Sequence, residues 1–141
     1  MEKSKALKYL YRVISFNDYL EAELIKKLSN KKVDESIIEE LIENFKQYGY
    51  INDKEYVENF VYFSIKKLNG PYKIKNKLLF KGASIDLIEE EIEKQYPISK
   101  QLENIKKLIR KTNKEDNKLV SFCVRRGYSL DLVLQIINEN D

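Results

Sequence analysis

The sequence contains no histidine and no tryptophan, and only one cysteine, two prolines and four glycines among its 141 residues. Without histidine the usual proton shuttle near neutral pH is missing, and no Cys/His set offers ligands for zinc. No glycine-rich loop of the Walker or Rossmann type is present. The single cysteine, Cys123, cannot form an internal disulfide, and its place on an apolar helical stripe predicts a buried small hydrophobe. We therefore expect no enzyme and no cofactor.

Long apolar runs are also absent. None approaches the roughly 18 residues that cross a membrane, and the N-terminal residues do not contain the uninterrupted apolar segment of a signal peptide. Hydrophobic residues make up 43% of the chain and charged residues 35%, a balance typical of soluble globular domains. No heptad seam indicates a coiled-coil dimer. We expect a cytoplasmic monomer without a membrane partner.

Three similar helix–turn–helix patterns are present instead. Apolar residues stand eight and four positions before a turn, and six and ten positions after it, around Lys32, Gly82 and Gly127. The turns are separated by 50 and then 45 residues, which points to an array of helical repeats. The predicted fold class is all-α, with three tandem three-helix, helix-turn-helix-like repeats forming an elongated, curved array. The predicted boundaries of the three repeats are 1–51, 52–97 and 98–141.

Capping residues predict where several helices begin and end. Asp18 with Glu21 three residues later, and Asn52 with Glu55, have the pattern of a capping box. Gly49 suits the left-handed residue that follows a helix, and the Gly70-Pro71 pair separates two helices. Because the first turn carries lysine where the later turns carry glycine, we expect it to be looser or differently shaped.

Other side chains are assigned to faces by helical spacing alone. The glutamates of the sixth helix, 89–91, are expected mostly on an exposed face. One face of the seventh helix is expected to be buried through Leu102, Ile105 and Ile109. Four of the ten tyrosines are predicted to fill apolar helix faces: Tyr9, Tyr11, Tyr56 and Tyr62.

Positive charge is concentrated in the C-terminal part of the chain. Residues 1–62 hold ten basic and twelve acidic side chains, whereas residues 63–141 hold sixteen basic and eleven acidic ones. No acidic residue occurs between Asn59 and Ile85, a segment with six lysines. This distribution would attract a partner with negative charge. The candidate contact residues are Lys73, Lys77 and Lys81, then Lys106, Lys107, Arg110 and Lys111, and finally Arg125 and Arg126, with Tyr72 and Tyr128 beside two of the turns.

Each of these features also has a purely structural interpretation. A lysine-rich helix face is most often only solvated surface, and a tyrosine beside a turn is more often part of the core or its rim. Helix-turn-helix geometry is shared with DNA readers, but the helices that would enter the groove carry runs of glutamate, which would repel phosphate. We therefore expect no base-specific reading there.

Four stretches of the sequence resemble the RecX family, whose members regulate the bacterial RecA recombinase. They occur in the order of the family at positions 22–28, 49–61, 70–82 and 118–128, and they include the motifs GYIND, GPYKI and RRGY. The resemblance implies three tandem three-helix repeats and no catalytic residues. It also implies binding to RecA in the groove of the RecA–DNA filament, with restricted filament growth, ATP hydrolysis and strand exchange, in the context of recombination, DNA repair and the SOS response.

Three functional hypotheses are compatible with the residues themselves. The first is a negative regulator of the RecA filament, as the resemblance implies. The second is a module that binds single- or double-stranded DNA by itself and without sequence specificity. The third is a helical adaptor between proteins, which would have no affinity for DNA.

Overall fold

The computed structural model describes residues 1–139, except for the side chain of Asp116. Within these residues the chain is all-α, as predicted, and contains nine helices and no strand. The division into repeats at residues 51 and 97 stays a prediction. The helices are α1 (Lys3–Phe16), α2 (Glu21–Asn30), α3 (Glu35–Gln47), α4 (Asp53–Lys66), α5 (Pro71–Lys81), α6 (Ile85–Gln95), α7 (Ile98–Arg110), α8 (Asp116–Arg125) and α9 (Leu130–Glu139).

The chain forms two compact units. Unit 1 comprises residues 1–56 together with 81–83, and unit 2 comprises residues 57–80 and 84–141. None of the helices in residues 1–139 combines the length and the apolar character that a membrane crossing requires.

Unit 1 is built around the apolar faces of α1, α2 and α3. Leucine and isoleucine at helical spacing exclude water from this core, and Phe45 is its largest fully buried side chain. The buried residues of the core are Ala6, Leu10, Leu24, Leu28, Val33, Ile38, Leu41, Ile42, Phe45 and Ile51.

The turn after α2 is closed by the same kind of hydrogen bond as the turn at Gly127, where the N–H of Tyr128 donates to the carbonyl of Cys123 over 3.3 Å, in contrast to the expectation of a looser turn. Lys32 adopts φ 59°, and the N–H of Val33 donates to the carbonyl of Leu28 over 3.2 Å. After α3, Gly49 adopts φ 78°, and the N–H of Tyr50 donates to the carbonyl of Phe45 over 2.9 Å. These bonds close the last helical turn, as in the Schellman motif. The hydrogen bonds therefore stabilise a left-handed conformation that is unfavourable for lysine by about 1 kcal/mol.

The beginning of α2 differs from the predicted one. The helix begins at Glu21 and not after Asp18, because its first N–H groups find other acceptors. Glu23 accepts a hydrogen bond from the N–H of Leu20 over 2.9 Å, and Asp53 accepts one from the N–H of Glu21 over 2.8 Å. The predicted cap of α4 is confirmed, since Asn52 accepts a hydrogen bond from the N–H of Glu55 over 3.1 Å.

The core of unit 2 contains more polar groups than expected. One apolar part of this core is as predicted: Cys123 is fully buried and has no disulfide, which confirms the prediction of a small hydrophobe.

The buried face of α7 differs from the predicted one. Asn104, Ile105 and Leu108 are buried, whereas Leu102 and Ile109 are only half-buried. Asn104 is accommodated because its amide donates to the carbonyl of Ile65 and to the hydroxyl of Tyr96, over 3.2 and 3.1 Å.

Glu91 is a second buried polar residue and is the exception among the three glutamates of α6 that were expected mostly on an exposed face. It is buried, while Glu89 and Glu90 are exposed. The amide of Gln95 donates to Glu91 over 2.9 Å and to the carbonyl of Glu58 over 3.0 Å, so the buried carboxylate has a hydrogen-bond partner.

Candidate functional site

Two of the turns that carry the sequence motifs are joined backbone to backbone in unit 2. The turn between α4 and α5 includes Gly70, whose N–H donates to the carbonyl of Arg126 over 2.7 Å. The N–H of Tyr72, in the first turn of α5, donates to the carbonyl of Gly127 over 3.0 Å. Gly127 belongs to the turn between α8 and α9. We call residues 68–72 and 126–129 the paired turns.

Glycine is required in the paired turns because the two backbones approach so closely. A Cβ atom added to Gly70 would lie 2.2 Å from the carbonyl carbon of Gly127 and 2.5 Å from the backbone nitrogen of Tyr128. Gly127 has φ +107°, and a Cβ atom there would lie 2.6 Å from the backbone nitrogen of Lys73. No other residue fits either position without separating the turns.

Two buried tyrosines support the paired turns from the core. The hydroxyl of Tyr128 donates to the carbonyl of Leu68, and that of Tyr96 donates to the carbonyl of Asn69, each over 2.8 Å. The two hydroxyl oxygens are 2.9 Å apart. Burial raises the pKa of both hydroxyls above its usual value, so they remain neutral donors at physiological pH.

This support role removes Tyr128 from the candidate contact residues. Its side chain is 1% exposed, so no base or partner can reach the ring. Tyr72 differs, since it is 58% exposed and lines a cleft of about 700 Å³ together with Pro71, Pro97 and Ile98. Only Tyr72 of the two predicted tyrosines is accessible to a partner.

Three positive side chains of the paired turns and α5 form a basic cluster, which we define as Lys73, Lys77 and Arg126. Burial, followed by the positive charges of Lys77 and Arg126, lowers the pKa of the Lys73 ammonium below its usual value. Arg126 is held in place because its Nη2 donates to the carbonyl of Lys67, while its Nε is buried without a hydrogen-bond partner among the described residues. The cluster thus combines charges that repel one another.

No carboxylate in the described part of the chain forms an ion pair with the basic cluster. Arg125, which precedes Arg126 at the end of α8, is exposed and has no ion pair there either. Uncompensated charges of one sign on neighbouring positions produce a positive surface potential, and such a surface attracts an anion.

The other predicted cations differ in how far they are neutralised. On α7, the ammonium of Lys107 is 3.1 Å from a carboxylate oxygen of Glu103, and its hydrogen bond is the main cause of a lowered pKa of that glutamate. In unit 1, the ammonium of Lys81 is 3.9 Å from a carboxylate oxygen of Glu23. Three cations at the end of α7 are exposed and have no ion pair within residues 1–139, namely Lys106 and Arg110 in the helix and Lys111 directly after it.

Sequence reasoning missed the residues that organise the site. Tyr96 and Asn104 were not recognised as supports of the turns, and no local signal indicates that they meet there. Tyr62 was assigned to an apolar face, but the structure exposes it together with its neighbour Phe63. The signal for this pair is two adjacent aromatic residues inside the segment without acidic residues.

No group of three or more metal-ligating side chains lies together in the part of the chain that the structure describes. A comparison with models of known protein families finds no match.

Comparisons with individual proteins do find relatives. The chain is 33% identical to "Regulatory protein RecX" of Clostridium botulinum (strain Alaska E43 / Type E3), over 84% of the chain and 60% of that relative. It is 28% identical to "Regulatory protein RecX" of Caldanaerobacter subterraneus subsp. tengcongensis, over 98% of the chain and 72% of that relative. The crystal structure of RecX from Lactobacillus salivarius superimposes with a TM-score of 0.85 at 26% identity, over 97% of this chain and 95% of that one. The chain thus spans between 60% and 72% of the length of these two curated relatives.

Proposed function

Since the chain belongs to the RecX family, we propose that it is a negative regulator of RecA. In this proposal it binds in the groove of the RecA–DNA filament and limits filament extension, ATP hydrolysis and strand exchange. The observation that carries the proposal is the basic cluster on the paired turns. Its charges have no carboxylate partner among the described residues, and a filament built on DNA supplies the missing negative charge.

The rigid position of the cluster supports this role. Lys73 lies in the first turn of α5 and Arg126 in the turn between α8 and α9, and two backbone hydrogen bonds hold these turns together. Cations fixed in this way lose less conformational freedom on binding than cations on a mobile tail. After burial, repulsion by Lys77 and Arg126 also lowers the pKa of Lys73, and a bound anion would relieve this repulsion and so favour the bound state.

The remaining predicted cations contribute in proportion to their free charge. We propose Arg125 with Lys106, Arg110 and Lys111 as further contacts, because they are exposed and have no ion pair within residues 1–139. Lys81 and Lys107 contribute less, because each would have to leave a carboxylate that it already faces. Tyr72 is proposed as an exposed neighbour of the cluster.

The test is RecA's ATP hydrolysis on single-stranded DNA, with the chain titrated in below the concentration of RecA. We expect inhibition by the parent chain, and about fivefold weaker inhibition by the double variant Lys73→Gln with Lys77→Gln. Each charge pair that is lost costs about 0.5 kcal/mol of binding free energy, and the sum of about 1 kcal/mol corresponds to about fivefold. The matched control is Lys75→Gln, on the same helix, because the Lys75 ammonium is already 3.4 Å from a carboxylate oxygen of Glu89.

Two outcomes would contradict this proposal. An unchanged ATPase rate with RecA and DNA from the same organism would exclude regulation of the filament. Equal inhibition by the parent chain and the double variant would exclude the basic cluster as the contact. DNA binding without RecA that is lost in the double variant, together with an unchanged ATPase rate, would support the stand-alone nucleic-acid module instead.

A further inference from the structure

Two adjacent aromatic residues on α4, Tyr62 and Phe63, are not part of a core but are exposed on the surface. Tyr62 is 46% and Phe63 57% exposed, although both are large and Phe63 has no polar atom. Adjacent residues of a helix point about 100° apart, so one of two such neighbours normally faces the core. Here the two rings contact each other, with centroids 5.2 Å apart and planes at 82°. The contact holds two apolar rings on the surface.

Two lysines follow this aromatic pair at the end of α4. The ammonium of Lys66 lies 4.7 Å from the centroid of the Tyr62 ring, within the range of a cation–π interaction. The next residue, Lys67, is exposed, and its carbonyl accepts the hydrogen bond from Arg126 of the basic cluster. None of Lys66, Lys67 and Arg126 forms an ion pair in the part of the chain that the structure describes. The segment that follows the aromatic pair is thus joined to the basic cluster through the hydrogen bond from Arg126 to Lys67.

We infer that Tyr62 and Phe63 form a stacking site for an unpaired base of a single-stranded nucleic acid, whose phosphates contact Lys66, Lys67 and Arg126. Stacking on exposed aromatic rings next to cations is the usual way in which proteins hold single strands without reading their sequence. Because the rings are nearly perpendicular, one base cannot stack on both. Phe63 is the more exposed ring and is the expected stacking surface, with Tyr62 supporting it from the side.

The charge of the surface favours a nucleic acid over a protein as the occupant. No acidic residue occurs between Asn59 and Ile85, and the nearest one before this segment is Glu58, one helical turn before Tyr62, so a protein partner would have to supply most of the compensating carboxylates. A polynucleotide carries one negative charge for each base, and it thus matches an aromatic ring flanked by several cations. The inference shares Arg126 with the proposed RecA regulation, but the stacking site acts without RecA, so the two are tested separately.

The test is the binding of a fluorescently labelled oligothymidylate, measured by anisotropy in the absence of RecA. We expect Phe63→Ala to weaken binding by at least fivefold, because stacking contributes about 1–3 kcal/mol for each base. Phe63→Tyr should restore it. An abasic strand of the same length carries the phosphates but no base, and its weaker binding should be the same for the parent chain and Phe63→Ala. The matched control is Phe16→Ala, which removes an even more exposed phenylalanine, at 76%, from unit 1.

The dependence on salt separates the base contact from the phosphate contacts. The slope of log Kd against log salt should be unchanged in Phe63→Ala and reduced in the variant with Lys66→Gln and Lys67→Gln. The inference is overturned if Phe63→Ala binds oligothymidylate as tightly as the parent chain, or if the abasic strand binds the parent equally well. It is also overturned if Phe63→Ala impairs only the inhibition of RecA, because the aromatic pair would then be a contact for protein.

Discussion

Replacing Gly70 by alanine tests how far the paired turns stabilise unit 2. The added Cβ would lie 2.2 and 2.4 Å from the carbonyl carbon and oxygen of Gly127, and 2.5 Å from the backbone nitrogen of Tyr128. All three atoms are backbone, so no side-chain rotation relieves the clash. The turns must separate by about 1 Å to reach an ordinary contact distance. This separation breaks the two backbone hydrogen bonds that join them.

The magnitude follows from these contacts. The bonds from the N–H groups of Gly70 and Tyr72 measure 2.7 and 3.0 Å, and each contributes about 1 kcal/mol net. Forcing an extra methyl group into a packed site costs about 1–3 kcal/mol. We therefore expect Gly70→Ala to lower the free energy of unfolding by about 3–5 kcal/mol, a large part of the stability of a small domain.

The assay is urea denaturation, followed by far-UV circular dichroism and tyrosine fluorescence. Gly49→Ala is the matched control, because Gly49 has φ +78° and nothing within 4 Å of an added Cβ. That variant should lose only the conformational advantage of glycine, about 1 kcal/mol. If Gly70→Ala is no more destabilising than Gly49→Ala, close packing of the paired turns does not determine stability and the reasoning fails.

Two further predictions concern stability. Lys32→Gly should raise the free energy of unfolding by about 1 kcal/mol, because Lys32 has φ 59° and glycine adopts this conformation freely; a thermal or urea midpoint at or below that of the parent chain would contradict it. Because the folded pKa values of Tyr96 and Tyr128 are raised, their stabilisation is complete below the ordinary tyrosine pKa of 10.0 and is lost as pH rises toward the folded values. Urea titrations above pH 10 should show stability falling by up to about 1.4 kcal/mol per pH unit for each tyrosine, and Tyr128→Phe should remove one of the two contributions; an identical slope in the variant would refute this assignment.

Local signals in the sequence predicted the features that depend on neighbouring residues. Gly49 ends α3 and Pro71 begins α5 because each residue has an intrinsic backbone preference that suits its place. The cap of α2 could not be predicted in this way. Its acceptor, Asp53, lies 32 positions away in the sequence from the N–H of Glu21. Asp18, which has the right local pattern, is not the cap.

Helical spacing also could not predict which polar residues are buried. Asn104 and Glu91 interrupt apolar stripes, and the spacing alone assigns such residues to an exposed face. Each is buried because a specific partner satisfies it: Ile65 and Tyr96 for Asn104, and Gln95 for Glu91. In the candidate site, the composition of the segment predicted a basic surface. It could not predict which lysines lack a carboxylate partner, because the ion pairs depend on the tertiary fold.

The long sequence separation across the paired turns has a consequence for synthesis on the ribosome. The carbonyl of Leu68 and the hydroxyl of Tyr128 are hydrogen-bonded, although they are 60 positions apart in the sequence. At about 5–20 residues per second, the nascent chain carries the completed α4 and α5, which ends at Lys81, for about 2–9 s before Arg126 is made. During this interval the N–H groups of Gly70 and Tyr72 have no carbonyl partner in the missing turn. Completion of unit 2 is therefore a late, non-local event, and loop closure rather than helix formation should limit its folding rate.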